Sequence, residues 1–168
     1  MPSNNWLRDD RMIGLQWLGR AEGGYGNPGV VYWLHNNSKS DDALAEKSAA
    51  VEIWDTLIAL AQQLPETASV RAEVLAGALY GRDLAVIIRW GWEAMVWGYR
   101  GDQAGGQYNH TALATAIANY NLAWAAYNRT LATQPLAATP FHDFYEGGSE
   151  MSGYVPGIGA SIDVYRGK

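Results

Sequence analysis

The 168-residue chain contains no cysteine, which excludes thiol catalysis, disulfide frameworks and zinc or iron–sulfur sites with cysteine ligands. Charged residues are scarce at 17%, yet the hydrophobic share of 48% is ordinary, and this combination argues against a disordered chain. Basic residues are fewer than acidic ones, 12 against 17, and no window of the sequence concentrates lysine or arginine. We therefore expect no nucleic-acid partner.

Long apolar runs are also missing. The most apolar stretch, residues 84–99, contains both Arg89 and Glu93, and it is shorter than the roughly 20 apolar residues of a membrane-spanning helix. This stretch predicts a buried helix, and we expect no membrane span. The first ten residues have neither the basic region nor the apolar core of a secretory signal.

The cellular compartment stays open, because glycosylation sequons point toward secretion. Three Asn-X-Ser/Thr sequons occur where chance alone gives about one. They begin at Asn36, Asn109 and Asn128. This modest excess fits a parent protein that is secreted.

Aromatic residues and glycine are abundant, with eight Trp, ten Tyr and 19 Gly. Apolar residues recur at helical spacing in four segments, and no strand-like alternation is convincing. The four predicted helices span residues 6–21, 40–64, 65–100 and 109–133, and Asn109 or Thr111 is expected to cap the last one. Residues 22–29 form a glycine-rich connector, and residues 30–34 predict a short extended piece.

These patterns predict an all-α fold, a bundle of about four main helices with an irregular C-terminal tail rich in aromatic residues, glycine and proline. We expect a single helical domain over residues 1–168. Within it, residues 1–40 hold a helix and the glycine-rich loop, 41–133 the helical core and 134–168 the tail. A fragment of a larger protein is the alternative.

The second predicted helix has two adjacent apolar stripes, which together make a wide face suited to a bundle. The first stripe consists of Ala50, Ile53, Leu57, Leu60 and Leu64. The second consists of Val51, Trp54, Ile58 and Ala61.

Four glycines line one face of the third predicted helix, and each costs up to about 1 kcal/mol of helix propensity. These are Gly77, Gly81, Gly91 and Gly98, and the opposite face carries Leu79, Val86, Trp90 and Trp97. A glycine row is expected where a backbone or a ligand approaches closely. We therefore predict that this row packs against an alanine-rich neighbouring helix, with the aromatic tail folded across the bundle.

No catalytic motif is present. The three histidines are scattered, and the chain lacks HExxH, HxH and GxSxG patterns. The acids near His142 are explained by a polar tail, and the loop 23–29 lacks the ending of a phosphate-binding loop, so we expect neither a metal nor a cofactor. If the chain is an enzyme, the residues best able to act are Glu93, Arg89 and His142.

Arg89 and Glu93 have the i,i+4 spacing of an ion pair within an aromatic helix. The pair could satisfy itself at the edge of the core. Alternatively, it could be the polar part of an aromatic groove that binds sugar, where indole faces meet pyranose C–H groups. On this second interpretation the substrate-binding residues are Trp90, Trp92, Trp97, Tyr99 and Trp124.

Three segments near the C-terminus carry a family resemblance. They are Asn119-Tyr-Asn-Leu-Ala-Trp-Ala-Ala-Tyr-Asn, Ala138-Thr-Pro-Phe-His-Asp-Phe-Tyr and Pro156-Gly-Ile-Gly-Ala-Ser-Ile-Asp-Val-Tyr-Arg. This region, about residues 119–166, resembles the C-terminal helical region of multidomain glycoside hydrolase-like, carbohydrate-active proteins. In such proteins a helical bundle follows a catalytic (β/α)-barrel and packs against it. The resemblance implies an accessory role and assigns no catalytic residue to this chain.

Three functions remain open from the sequence. The first is a non-catalytic helical accessory module of a carbohydrate-active enzyme, which supports a catalytic domain or adds aromatic contacts to glycan. Its partners would be the catalytic domain of a parent protein or the glycan itself. The second is a protein–protein interaction module that uses an exposed aromatic face, and the third is a small free-standing enzyme.

Overall fold

The structure is a computed structural model, and it describes residues 30–65, 69–133, 159 and 162–168. Within these residues the chain forms four helices and no strand, namely α1 (Val30–Asn36), α2 (Ser40–Gln62), α3 (Ser69–Gln103) and α4 (His110–Thr133). The predicted all-α bundle is therefore confirmed. The predicted helix 6–21, the connector 22–29 and the tail over residues 134–158 lie outside the described residues.

Residues 30–34 are helical, so the prediction of an extended piece there is wrong. Val31 is buried in the core, and Leu34 packs against the same core. A strand in this place would have no partner among the described residues, whereas one helical turn brings both side chains onto one face. α1 then ends in a tight turn, in which the Lys39 N–H donates to the Leu34 carbonyl at 2.7 Å.

The ends of α3 and α4 follow from local sequence. α3 runs through Gly81 without a break, and two residues with positive φ, Gly105 and Gly106, follow its end. α4 begins beside Asn109, whose Oδ1 accepts a hydrogen bond from the Ala112 N–H at 3.1 Å. Asn109 is therefore the N-cap, one of the two residues predicted for that role.

α3 is the central helix of the bundle. It packs against both α2 and α4, while α2 and α4 have almost no contact with each other. α2 runs antiparallel to α3, since Asp55 pairs with Arg82 at 2.9 Å and Asp41 pairs with Arg100 at 2.8 Å. Over the described residues, none of the helices has both the length and the apolar character that crossing a membrane requires.

α4 also runs antiparallel to α3 and shares most of the core with it. The Tyr127 ring packs on the Tyr80 ring with centroids 5.5 Å apart, and Tyr108, just before α4, lies over Gly101 near the end of α3. The largest fully buried side chains of the described residues are Trp92, Tyr80, Tyr127, Leu84, Ile87, Met95, Leu113 and Ile162. Most of them belong to α3 and α4.

The glycine face of α3 receives aromatic rings. Trp54 of α2 lies over Gly81, and Tyr165 of the C-terminal turn lies over Gly98. A Cβ at Gly98 would come within 2.5 Å of the Tyr165 ring, closer than non-bonded carbons approach. The prediction of an alanine-rich neighbour is therefore wrong for these two positions, where glycine is needed because it admits a flat ring.

Candidate functional site on one face of α3

The five aromatic residues predicted to bind substrate do not converge on one surface. Trp92 is only 1% exposed and belongs to the core, and Tyr99, seven residues later, lies on the same side of α3 as Trp92. Trp124 belongs to α4, where it makes edge-to-face contacts with the rings of Tyr120 and Tyr127. Trp90 and Trp97 alone share a partly exposed face of α3.

Trp90 and Trp97 are separated by two helical turns, about 10 Å along the axis, so both indoles project from one side of α3. A guanidinium covers each ring: the Arg89 Cζ lies 4.5 Å from the centroid of the Trp90 ring, and the Arg100 Cζ lies 4.9 Å from that of Trp97. Glu93 Oε1 accepts a hydrogen bond from Trp97 Nε1 at 3.1 Å. We call these five half-buried residues the indole face.

The predicted ion pair between Arg89 and Glu93 does not form between these two described side chains. Glu93 bonds to the indole of Trp97, which is also its i+4 neighbour, and Arg89 stacks on Trp90. The Arg89 Nε is buried and has no hydrogen-bond partner among the described residues. A buried donor without an acceptor costs on the order of 1–3 kcal/mol.

A second contact fixes the far end of the indole face. Arg100 donates a hydrogen bond to Asp41 Oδ1 at 2.8 Å, at the start of α2. Asp41 is largely exposed, so the pair adds little stability, but it holds the Arg100 guanidinium above Trp97. The indole face therefore combines two flat apolar rings with fixed N–H donors and one carboxylate, which is typical of sites for amphipathic ligands.

The three catalytic candidates do not form a reactive group within the described residues. His142 lies outside them, and Glu93 and Arg89 are each engaged by an indole. In the part of the chain that the structure describes, no three His, Asp or Glu side chains come together as a metal ion would need.

A polar cluster at the end of α3 was not predicted from the sequence. The Tyr108 and Tyr165 hydroxyls both donate to the carboxylate of Asp102, and the Lys168 Nζ lies 3.8 Å from Asp102 Oδ1. Burial, together with the nearby Asp102, raises the pKa of Tyr165 above its ordinary value. The cluster explains how residues 165–168 are held, and its sequence signals are Gly98 and Gly101, which leave room for the Tyr165 and Tyr108 rings.

One buried carboxylate lies two turns before Trp90, where α4 covers the helix. Asp83 is 7% exposed and accepts a hydrogen bond from the Thr130 hydroxyl. Burial raises the pKa of Asp83 above its ordinary value, although the Thr130 bond and the charges of Arg82 and Arg129 lower it in part. Asp83 therefore serves the contact between α3 and α4.

We compared the chain with protein-family models, with curated proteins and with solved structures, and none of them matches. The resemblance of residues 119–166 to glycoside hydrolase-like proteins therefore stays a prediction.

Proposed function

We propose that this chain is a non-catalytic helical accessory module of a carbohydrate-active protein, and that its indole face contacts glycan. One observation supports the proposal: two half-buried indoles, Trp90 and Trp97, share one face of α3, and a guanidinium lies over each of them. The family resemblance of residues 119–166 points to the same class of protein.

The chemistry of the indole face suits a sugar. An indole offers a flat apolar surface to the C–H groups of a pyranose, and the hydroxyls at the ring edge need polar partners. Arg89 would donate to a hydroxyl through a terminal N–H of its guanidinium, and Glu93 would accept through Oε2, since its Oε1 holds Trp97. The axial spacing of about 10 Å between the indoles is close to that of alternate units in an extended chain of linked pyranoses. A linear oligosaccharide lying along α3 fits this spacing.

The stacked guanidinium groups set the strength of such binding. Each of them already occupies one face of an indole, so a sugar must use the other face or displace the guanidinium. A partly exposed cation–π contact is worth about 0.5–1 kcal/mol, which a hydrogen bond to Arg89 can offset. Two such ring contacts give weak binding, and we expect dissociation constants on the order of 1 mM.

Titration of the full chain with cellohexaose, xylohexaose, maltohexaose and chitohexaose tests the proposal. We expect a saturable change in tryptophan fluorescence and in the indole N–H resonances with at least one of these probes. Trp97→Ala should remove the response, and Arg89→Met, which keeps the side-chain stem but no N–H donor, should weaken it several-fold. Arg129→Met on the exposed side of α4 is the matched control and should bind as the parent chain does. A chain that responds to none of the four probes would contradict the proposal.

The indole face also has the composition of a protein interface, where Trp and Arg supply much of the binding energy. The Arg100–Asp41 pair favours this second candidate function, because it makes part of the face rigid before any partner arrives. The partner would be the catalytic domain of a parent protein. A co-expressed catalytic domain that binds the parent chain but not Trp97→Ala would support this function.

A further inference from the structure

An ammonium group lies over two tyrosine rings at the end of α3. The Lys168 Nζ is 5.5 Å from the centroid of the Tyr108 ring and 5.6 Å from that of the Tyr165 ring, both within the range of a cation–π contact. The same Nζ is 3.8 Å from Asp102 Oδ1. Two ring faces and one carboxylate therefore surround a single cation. We call Tyr108, Tyr165 and Asp102 the aromatic cage.

The aromatic cage is held in place by its own contacts. The Tyr108 hydroxyl donates to Asp102 Oδ1 and the Tyr165 hydroxyl donates to Asp102 Oδ2 at 3.1 Å, so one carboxylate orients both rings. The rings rest on Gly98 and Gly101 of α3, where a Cβ would collide with them. Because these side chains are already ordered, a ligand that binds between them pays little for ordering the site.

Solvent reaches the aromatic cage where Lys168 enters it. The side chains of Asp102 and Lys168 are 39% and 43% exposed, and both tyrosines are half-buried. A lysine ammonium sits on a long flexible stem, so it can leave the rings without moving the backbone. A cation from solution can therefore take its place.

The contacts suit an ammonium group that has no N–H donor. Each carboxylate oxygen of Asp102 already accepts a tyrosine hydroxyl, and the 3.8 Å from Lys168 Nζ to Oδ1 is longer than a hydrogen bond. A primary ammonium is strongly hydrated and gains little from a carboxylate to which it donates nothing. A trimethylammonium group keeps the charge, needs no acceptor and presents methyl groups to the ring faces.

The hydrogen bonds to Asp102 also favour a cation on the rings. A phenol that donates to a carboxylate is polarised by it, which makes the face of its ring more negative. Both rings of the aromatic cage are polarised in this way by the same carboxylate. The two rings and the charge of Asp102 therefore attract the same ligand.

We propose that the aromatic cage is a binding site for a trimethylammonium group and that Lys168 is its built-in competitor. Choline compounds and the trimethylated lysine side chains of proteins both present this group. The aromatic cage and the indole face share no residue, so the proposal does not rest on the binding of glycan.

Titration of the full chain with choline, followed by NMR of the tyrosine rings, tests the proposal. We expect the ring signals of Tyr108 and Tyr165 to shift and those of Tyr80, which is buried in the core, to stay unchanged. The uncharged analogue of choline, in which a tert-butyl group replaces trimethylammonium, should cause no shift. Ethanolamine, which carries a primary ammonium, should bind more weakly than choline. A peptide with one trimethyllysine is titrated beside choline, and the tighter of the two identifies the source of the group.

Two substitutions test the competition and the charge. Lys168→Gln removes the competitor and leaves the rings in place, so the affinity for choline should rise about two- to fivefold. Lys39→Gln is the matched control, because it removes the charge of an exposed lysine before α2, and it should bind choline as the parent chain does. Asp102→Asn keeps an oxygen acceptor for one hydroxyl but loses the charge, and it should weaken binding several-fold.

Three results would overturn the proposal. If the tert-butyl analogue binds as tightly as choline, the rings form an apolar surface and do not select a cation. If Lys168→Gln binds no more tightly than Lys39→Gln, Lys168 does not compete for the site. If choline shifts the indole N–H signals of Trp90 and Trp97 and leaves both tyrosine rings unchanged, the cation binds at the indole face. The comparison of choline with its tert-butyl analogue uses the parent chain, so it decides the matter even if Asp102→Asn fails to fold.

Discussion

α2 and α4 flank the same central helix, yet they use their apolar residues differently. α4 places one stripe against α3, and that stripe is buried: Leu113, Ala116, Tyr120, Ala123 and Tyr127. Of the apolar residues of α2, Val51 and Ala61 alone are fully buried, and Ile53, Leu57 and Leu60 stay exposed. Apolar content therefore does not tell how much of a helix belongs to the core. How much of a helix is buried depends on how many apolar stripes it has compared with how many helices lie next to it.

Two adjacent residues of α3 show the same contrast in polar contacts. Arg82 turns toward α2 and pairs with Asp55 at 2.9 Å in an exposed position. Asp83 turns toward α4 and bonds to the Thr130 hydroxyl, where it is buried. The side of α3 that faces α4 is therefore the more fully buried one. Substitutions there should lower the free energy of unfolding more than substitutions on the α2 side.

The largest effect is expected from truncating the buried stripe of α4. Leu113→Ala removes a side chain that is 1% exposed and leaves a cavity, so we expect the free energy of unfolding to fall by about 3 kcal/mol. Leu122→Ala on the same helix, where the leucine is largely exposed, should change it by less than about 0.5 kcal/mol. Urea unfolding followed by circular dichroism measures both. If both variants lose the same free energy of unfolding, the contact between α3 and α4 is not the more fully buried one.

The helices themselves could be predicted because their limits depend on local chemistry. Asn109 caps α4 through its own side chain, as predicted. The recurrence of small and apolar residues over 74–98 was sufficient to predict one continuous helix through its glycines, and the structure confirms it. The predicted end of that helix at residue 100 is wrong, because α3 passes through Gly101 and ends at Gln103, before the left-handed backbone of Gly105 and Gly106.

The positions of the indoles could not be predicted, because they depend on which helix lies opposite. Trp90 and Trp92 are two residues apart in the same helix, but α2 and α4 leave Trp90 partly exposed and Trp92 in the core. The i+4 spacing of Arg89 and Glu93 predicts an ion pair, yet Trp97 offers Glu93 an N–H donor at the same spacing. A pairwise rule cannot choose between two partners that satisfy it equally well.

An intermediate effect is expected where α2 meets the glycine face. Gly81→Ala should lower the free energy of unfolding by about 1–2 kcal/mol, because the added methyl meets the Trp54 ring and the strain exceeds the gain in helix propensity. In a Trp54→Ala background the same change should raise stability by up to about 1 kcal/mol, since propensity alone remains. Thermal unfolding of the parent chain, the two single variants and the double variant measures this reversal. A loss of equal size in both backgrounds would exclude the ring contact as its cause.

The smallest change in the free energy of unfolding is expected from substitutions at the polar contacts of Arg82 and Asp83. The change at Asp83 depends on pH. Because burial raises the pKa of Asp83, the folded chain holds that proton more tightly than the unfolded chain does. This stabilisation is present below about pH 4, the ordinary range of an aspartate, and is lost as the pH rises through the raised value. Asp83→Asn should therefore stabilise the fold at pH 7 by less than about 1 kcal/mol, and its advantage should shrink toward pH 4.

Asp55→Asn is the matched control for this substitution, because it removes the exposed pair with Arg82 on the α2 side of α3. It should change the free energy of unfolding by less than about 0.5 kcal/mol at pH 7. Urea titrations of both variants between pH 4 and 7 measure the two contacts side by side. If Asp83→Asn is less stable than the parent chain at pH 7, the hydrogen bond from Thr130 outweighs the cost of burying the charge, and the contact with α4 relies on an ionised carboxylate.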